Sequence, residues 1–514
     1  MDLLSRLPVH PLLLSAYAVL GVYAANASEV LPRDLLGPLA VALGGAALAL
    51  VVAGLLYRDA RRGAVLSVAL VVAAGYFGHV SGWLSGWLGG AGVGEPVTVG
   101  LAAGLVILMG MYAAMARASL ARVTAALNGF GIVLVALALM VIVPFEAQRA
   151  VRAAALERPP DDSAITATRH PDRDIYFLVF DRYGSDWSIR ERFGIENDLL
   201  PDLEAAGFQV VPGARANYRA TDFSLASMLS LRLLDDLTAS VGPASADRTP
   251  ARARLQEHEV GRYLRENGYR YYHLSAWYEA TFDNPIADEV LRYGRTTEFE
   301  AVMREVSILP AVDRLLGAAP EDTDFRDRHR NEALFQFRQL RRLADMPGRK
   351  FVFAHILLPH PPYGFGADGR IVLKAEEESR PEGELFEEQL RFLNDRIRET
   401  VAALLAGPDQ EHPIIVLTAD EGPFLCFNTD CIDGSPETYG IRFGTLRAYY
   451  LPDLDYEVPA DDTGVNIFRM LFREYFGADL PDLPNRSYDW PDNDHLYDFR
   501  DITDQLPLPG GESG

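Results

Sequence analysis

The sequence predicts a multi-pass α-helical membrane domain followed by an acidic α/β domain. Three observations carry this. Five apolar stretches crowd the first 145 residues; from Asp174 onward, apolar runs of five to seven residues alternate with longer helical stretches; and two of those runs end in an acidic residue. Strands alternating with helices imply a sheet covered on both faces. Such a sheet places its site outside the carboxyl ends of its strands.

The membrane domain is assigned to residues 1–145. Its apolar stretches fall at 10–28, 36–57, 64–86, 97–116 and 124–144, each close to the ~20 residues that cross a bilayer as a helix. The first lacks a small-residue cleavage site and four more follow it, so it reads as a retained helix. Residues 1–145 hold seven Lys/Arg and five Asp/Glu, leaving 41 and 66 for the rest of the 514-residue chain. That acidic balance lacks the basic footprint nucleic-acid binding needs, and no nucleic-acid partner is expected. Arg58, Arg61 and Arg62 lie in one loop and Arg117 and Arg122 in another on the same side. The positive-inside rule makes that side cytoplasmic, with the N-terminus inside and everything after residue 145 outside. Trp83 and Trp87 flank a Gly-rich turn, as interfacial anchors do.

Residues 146–172 read as a helical exit from the membrane and then a Pro/Asp-rich linker. The α/β domain spans 173–505, and the tail 506–514 is expected to be disordered. DIYFLVF, KFVFAHI, IIVLTAD and LRAYYLP read as buried strands, with helical stretches at 194–207, 251–267, 296–317, 327–346 and 383–406. Cys426 and Cys431 stand five apart in LCFNTDCIDG. Outside the cell a small disulfide loop is their expected state, since two thiolates do not complete the tetrahedral shell of zinc.

Asp181 and Asp420 each follow an apolar run, and Glu421 accompanies the second. A single carboxylate there would read as a helix cap or a surface turn. Three converging carboxylates call for a cation, and oxygen ligands suit one divalent Mg²⁺ or Mn²⁺ ahead of Zn²⁺. Thr221 opens the Ser/Thr-rich stretch TDFSLASMLS. Its hydroxyl can be a metal-activated nucleophile, or it can simply cap a helix; a nucleophile at a helix start would also face backbone N–H groups toward an anion. His355 and His360 lie in HILLPHPPY, where they can donate to substrate oxygens or protonate a leaving group. His273 and Trp277 can line the site or pack as core, and Arg442 can meet an anionic substrate or form an ordinary salt bridge.

Together these segments resemble the alkaline phosphatase/sulfatase superfamily. More closely, the chain resembles the membrane-anchored sulfatase-like proteins that include lipoteichoic acid synthases and phosphoethanolamine transferases. The resemblance is strongest at 174–232, 350–370, 385–423 and 440–490. It implies an α/β catalytic domain of the sulfatase/alkaline-phosphatase type, held outside a bacterial-type plasma membrane and acting on a membrane lipid or lipid-linked substrate. It further implies Asp181 as a metal ligand, Thr221 as ligand and nucleophile, and His360, with His355 nearby, as the substrate histidine. Where the family has Asp-His-Gly, this chain has Asp420-Glu421-Gly422, so a carboxylate replaces a histidine. Two readings follow: a metal-dependent phosphotransferase or hydrolase with Asp181, Thr221, Asp420 and Glu421 around one ion, or a catalytically degenerate envelope scaffold or ligand-binding protein.

Overall fold

The computed structural model describes residues 7–88, 91–116, 119–155, 165–316, 325–408, 411–427 and 430–507. Most of the linker and the end of the tail lie outside the described residues. The chain forms two compact units. One is Met1–Val151 with Thr296–Phe325, the other Arg152–Arg295 with Arg326–Gly514.

The first unit contains α1 (His10–Ala25), α2 (Pro32–Tyr57), α3 (Ala60–Gly75), α4 (Phe77–Leu88), α5 (Ala91–Met115) and α6 (Ala121–Ala155). Three helical segments are long and apolar enough to cross a membrane, at Pro32–Tyr57, Val93–Met115 and Ala121–Arg152; α3 and α4 make a fourth if the bent pair is one span. The expectation of five spans is corrected accordingly. Helix α1 has 16 residues, a rise of ~24 Å against a hydrocarbon core of ~30 Å. The stretch expected as one span over 64–86 breaks between α3 and α4 with a bend of 58°.

A broken helix frees backbone groups that lipid cannot satisfy, so protein must. Here the partner comes from far along the chain. The Ala74 carbonyl accepts from the Ile308 N–H at 2.9 Å, and the Gly78 N–H donates to the Val306 carbonyl at 2.9 Å. A Cβ at Gly78 would sit 2.6 Å from the Glu305 carbonyl oxygen, so this approach requires glycine. Residues 306–308 join two short amphipathic helices, Glu298–Glu305 and Leu309–Leu316. A capping box between Thr297 and Glu300 starts the first helix. Its Phe299 meets Tyr23 edge-on at 6.1 Å, and Arg314 of the second pairs with Glu95 at 2.6 Å. The helical reading of 296–317 gave no signal that this segment belongs with the first unit.

The second unit is built on a seven-stranded mixed sheet, in the order β2-β7-β6-β1-β5-β3-β4. The strands are β1 (Ile175–Phe180), β2 (Gln209–Val210), β3 (Arg270–Leu274), β4 (Glu289–Leu291), β5 (Lys350–Ile356), β6 (Ile414–Thr418) and β7 (Arg447–Tyr450). β1 lies at the centre, parallel to β5 on one side and β6 on the other. All three are buried along their whole length, which is why they read as continuous apolar runs rather than alternating ones.

The period-2 alternation of strand side chains sorts these residues onto two faces. Ile175, Phe177, Val179, Phe351, Phe353, Ile414 and Val416 pack in one core with Phe223, Leu225, Ala226, Met228 and Leu229 of helix Thr221–Ser230. Tyr176, Leu178, Phe180, Val352, Ala354 and Ile356 pack in another with Leu385, Phe386, Leu390 and Leu393 of helix Glu382–Leu404.

Candidate active site

The sheet topology assembles the site. His355 pairs with Val179 in register, and Val179 pairs with Thr418 on the other side. Asp181 and Asp420 each lie two residues further on. The carboxyl ends of three adjacent parallel strands therefore deliver Asp181, His355 and Asp420 to one place. One ligand atom from each lies within 4.8 Å of the others, with His355 Nε2 3.7 Å from Asp181 Oδ2. All three residues are buried.

These groups fit a metal ion by their chemistry. Asp181 Oδ1, His355 Nε2 and Asp420 Oδ2 are buried without a hydrogen-bond partner, and buried polar atoms of native proteins are normally paired. Burial, and then the neighbouring Asp420, holds the Asp181 carboxyl well above the usual carboxylate range. Burial drives His355 down to about 4, so its imidazole is neutral, the form that ligates. A cation would reverse the cost of gathering two carboxylates there. Around the ligands, Thr281 Oγ1 lies 2.9 Å from His355 Nδ1, and the Gln336 amide donates to the His355 carbonyl at 2.8 Å. If the His355 Nδ1–H donates to Thr281, its Nε2 lone pair faces the two carboxylates, the usual outer-shell arrangement of a ligating histidine.

Glu421, expected among the ligands, is placed differently. Its Oε1 is 2.7 Å from Arg182 Nη2 and its Oε2 is 2.6 Å from Arg442 Nη2. Burial pushes the Glu421 carboxyl up to about 7 against the pull of both arginines. The same contact raises Arg442. With one guanidinium nitrogen on each carboxylate oxygen, the contact is ionic. Gly422 beside it must be glycine, because a Cβ there would lie 2.1 Å from the Ile441 carbonyl oxygen.

Arg442, expected to meet substrate, takes the salt-bridge alternative. Beyond Glu421 it donates to Asp430 at 2.7 Å, to the Gly422 carbonyl at 2.9 Å and to the Arg219 carbonyl at 2.6 Å. Cys426 and Cys431 form the disulfide expected of them, with Cα atoms 5.7 Å apart. The loop they close lies between the acidic motif and Arg442. Its neighbour Phe424 faces the guanidinium of Arg182, whose Cζ is 3.3 Å from the ring centroid.

Thr221 begins helix Thr221–Ser230 and is buried, with Ala220 as its N-cap. It lies two residues after Arg219, whose carbonyl Arg442 grips, and its helix packs on the sheet face that carries the acids. His360 lies beside Phe424, ring centroids 5.5 Å apart, and edge-on to Trp277 at 6.4 Å. Burial, then the charges of Arg182 and His329, pushes His360 well below its usual range. Its Nδ1–H donates to the Pro361 carbonyl, so its Nε2 carries the lone pair. His273 is fully buried, with Nε2 2.8 Å from the Thr281 carbonyl; it supports the segment that holds His355.

Sequence reasoning missed Arg182, Thr281 and His329. Arg182 has φ +62, a left-handed conformation that is uncommon for a side-chain-bearing residue and that clusters at functional sites. Its Nη2 holds one of the two Glu421 oxygens, and Arg442 holds the other. Nearby, Glu332 is buried on helix Phe325–Ala344, and burial pushes its carboxyl from 4.5 up to about 8 against the opposing charge of Arg328. A folded-state value above the unfolded one means the stabilisation is complete below pH 4.5 and is lost as pH rises through 8. Glu332→Gln is therefore expected to be near neutral at pH 5 and stabilising at pH 8.5, by up to ~4 kcal/mol, as read from unfolding curves at the two pH values. Equal effects at both would show that Glu332 is ionised in the folded protein.

No protein-family model and no curated protein matches the chain. Solved structures match at low identity. The C-terminal periplasmic domain of EcEptC from Escherichia coli, in complex with Zn, is 10% identical with a TM-score of 0.44, covering 68% of this chain and 97% of that one. The soluble domain of lipooligosaccharide phosphoethanolamine transferase A from Neisseria meningitidis is 11% identical with a TM-score of 0.39, covering 60% and 90%. A protein in the alkaline phosphatase superfamily from Vibrio parahaemolyticus is 12% identical with a TM-score of 0.39, covering 67% and 81%.

Proposed function

We propose that the chain is a membrane-bound, metal-dependent phosphotransferase or phosphodiesterase that acts on phospholipid headgroups or lipid-linked envelope polymers through Thr221. The observation that carries this reading is the buried group Asp181, His355 and Asp420 at three adjacent strand ends. The apolar helices of the first unit support a substrate that lies in the membrane.

Asp181, His355 and Asp420 would hold the ion, which when bound supplies Lewis acidity toward a phosphoryl oxygen. Two carboxylates and one imidazole suit Mn²⁺ or Zn²⁺, where three carboxylates would suit Mg²⁺ or Mn²⁺. The chain's own residues do the rest. Thr221 Oγ forms a bond to phosphorus as the bond from phosphorus to the lipid alcohol breaks. The threonine proton passes to the departing alcohol, and His360 Nε2, free to accept because Nδ1 is tied to Pro361, can relay it. Water or a second alcohol reverses the sequence and releases the group. The backbone N–H groups at the start of the Thr221 helix offer donors to the anion.

Intact mass of the full chain in detergent tests this. After incubation with phosphatidylethanolamine or phosphatidylglycerol and Mn²⁺ or Zn²⁺, the wild type should carry a headgroup-phosphate adduct and Thr221→Ala should not. An adduct persisting in Thr221→Ala would remove the nucleophile assignment. A wild type that shows neither adduct nor bound metal would favour the scaffold reading. That reading draws on one observation: the position where the resembled family has a histidine is a carboxylate already neutralised by two arginines.

A further inference from the structure

Helix Phe325–Ala344 carries a histidine that the proposed mechanism does not use. His329 is 2% exposed. Its Nδ1 lies 3.0 Å from the indole Nε1 of Trp277. An indole nitrogen can only donate, so Nδ1 of His329 must be the acceptor. The neutral ring then has its single proton on Nε2, and burial, with Arg326 and Arg330 nearby, keeps the ring neutral. That Nε2–H has no hydrogen-bond partner among the described residues. A buried donor left unpaired costs free energy and is unusual in a native protein.

Two ring contacts link His329 to His360. The Trp277 ring lies 6.3 Å from His329 and 6.4 Å from His360. His360 stands within electrostatic reach of both Arg182 and His329. Trp277 thus separates two histidines fixed in opposite tautomers. His360, tied through Nδ1–H to Pro361, presents an acceptor at Nε2. His329, tied through Nδ1 to Trp277, presents a donor at Nε2.

We infer that His329 is a substrate-binding residue whose Nε2–H, fixed as a donor by Trp277, bonds a non-bridging oxygen of an anionic phosphoryl group. The inference rests on the function proposed above and adds a residue and a specificity to that site. The site takes a tetrahedral oxyanion whose acceptor oxygen faces His329, while His360 takes the proton-bearing side. A neutral donor suits this role, since it holds an anion without giving up its proton.

The test uses the full chain in detergent with Mn²⁺ and inorganic phosphate as the probe, read by titration calorimetry, with the adduct assay beside it. His329→Ala is expected to weaken phosphate binding about 10- to 100-fold, the usual loss for a hydrogen bond to a charged group. His329→Gln, whose amide can accept from Trp277 and still donate, should stay within about 3-fold of wild type. Trp277→Phe, which no longer fixes the tautomer, should fall between them. Unfolding midpoints of all four proteins separate lost binding from lost folding. Equal phosphate affinity in wild type and a folded His329→Ala overturns the inference, as does a wild type that binds metal but no phosphate. Phosphate bound in a His329-dependent way without any adduct supports it, and places the failure in the transferase reading instead.

Discussion

His355→Ala is expected to lower divalent-metal affinity by more than ~100-fold, beyond the 10–100-fold that loss of an outer-shell partner costs. The ring supplies one of three clustered donors, and its Nε2 is fully buried with no other partner. Glu421→Gln gives the decisive contrast. If Glu421 were a ligand, its loss would match that of His355. With both its oxygens held by arginines, the amide should leave metal affinity within about 10-fold, the change coming through altered charge near Asp420. Calorimetric titration with Mn²⁺ and Zn²⁺ on the two variants reads the difference. Equal losses would return Glu421 to the metal.

Glu421→Ala is expected to destabilise the second unit by ~3 kcal/mol. Removing one partner of a buried ion pair leaves an uncompensated charge and costs about 3–5 kcal/mol. Here Asp430 still holds Arg442 at 2.7 Å, and Asp181 lies 3.9 Å from Arg182, so the lower end applies. Glu421→His should lose as much, because an imidazole cannot replace two charge-assisted contacts. It would gain metal affinity only if Arg182 moved away. Denaturant unfolding of the full chain in detergent measures the change, and a loss below ~1 kcal/mol would show that the pair is not what fixes Glu421 and the arginines.

The sheet was legible because its central strands are buried on both faces and so announce themselves as continuous apolar runs ending in charge. DIYFLVF, KFVFAHI, IIVLTAD and LRAYYLP each became a strand. Asp181 and Asp420 were legible for the same reason, since a carboxylate directly after such a run has nowhere apolar to go. What the linear order hides is lateral adjacency. That β5 sits beside β1, and so brings His355 to Asp181, is decided by a crossover of some 170 residues that no local pattern reports. The linear order thus groups Glu421 with Asp420 and His355 with His360, whereas the fold sets His355 beside Asp181 and Asp420 and Glu421 against Arg182 and Arg442. Arg182 escaped notice because its role depends on a left-handed backbone at a residue type that gives no hint of one. The break inside the span expected over 64–86 was hidden for a further reason. Hydropathy counts apolar length and cannot see a break whose backbone groups are satisfied from another part of the chain.

That break sets an order on biogenesis. The helices of the first unit are synthesised first, yet the seat between α3 and α4 stays open until residues 298–316 have been made. Between them comes the stretch 156–297, which includes strands β1 to β4 and the helix that begins with Thr221. The membrane unit thus cannot finish its own backbone pairing until about half of the other unit's sequence has left the ribosome. A fragment cut after α6 to obtain the second unit alone would also carry Phe299 without Tyr23, and the Val306 carbonyl and Ile308 N–H without Gly78 and Ala74. The natural dissection of this protein is two cuts and a splice: removal of everything before the linker, and replacement of 296–325 by a short polar bridge.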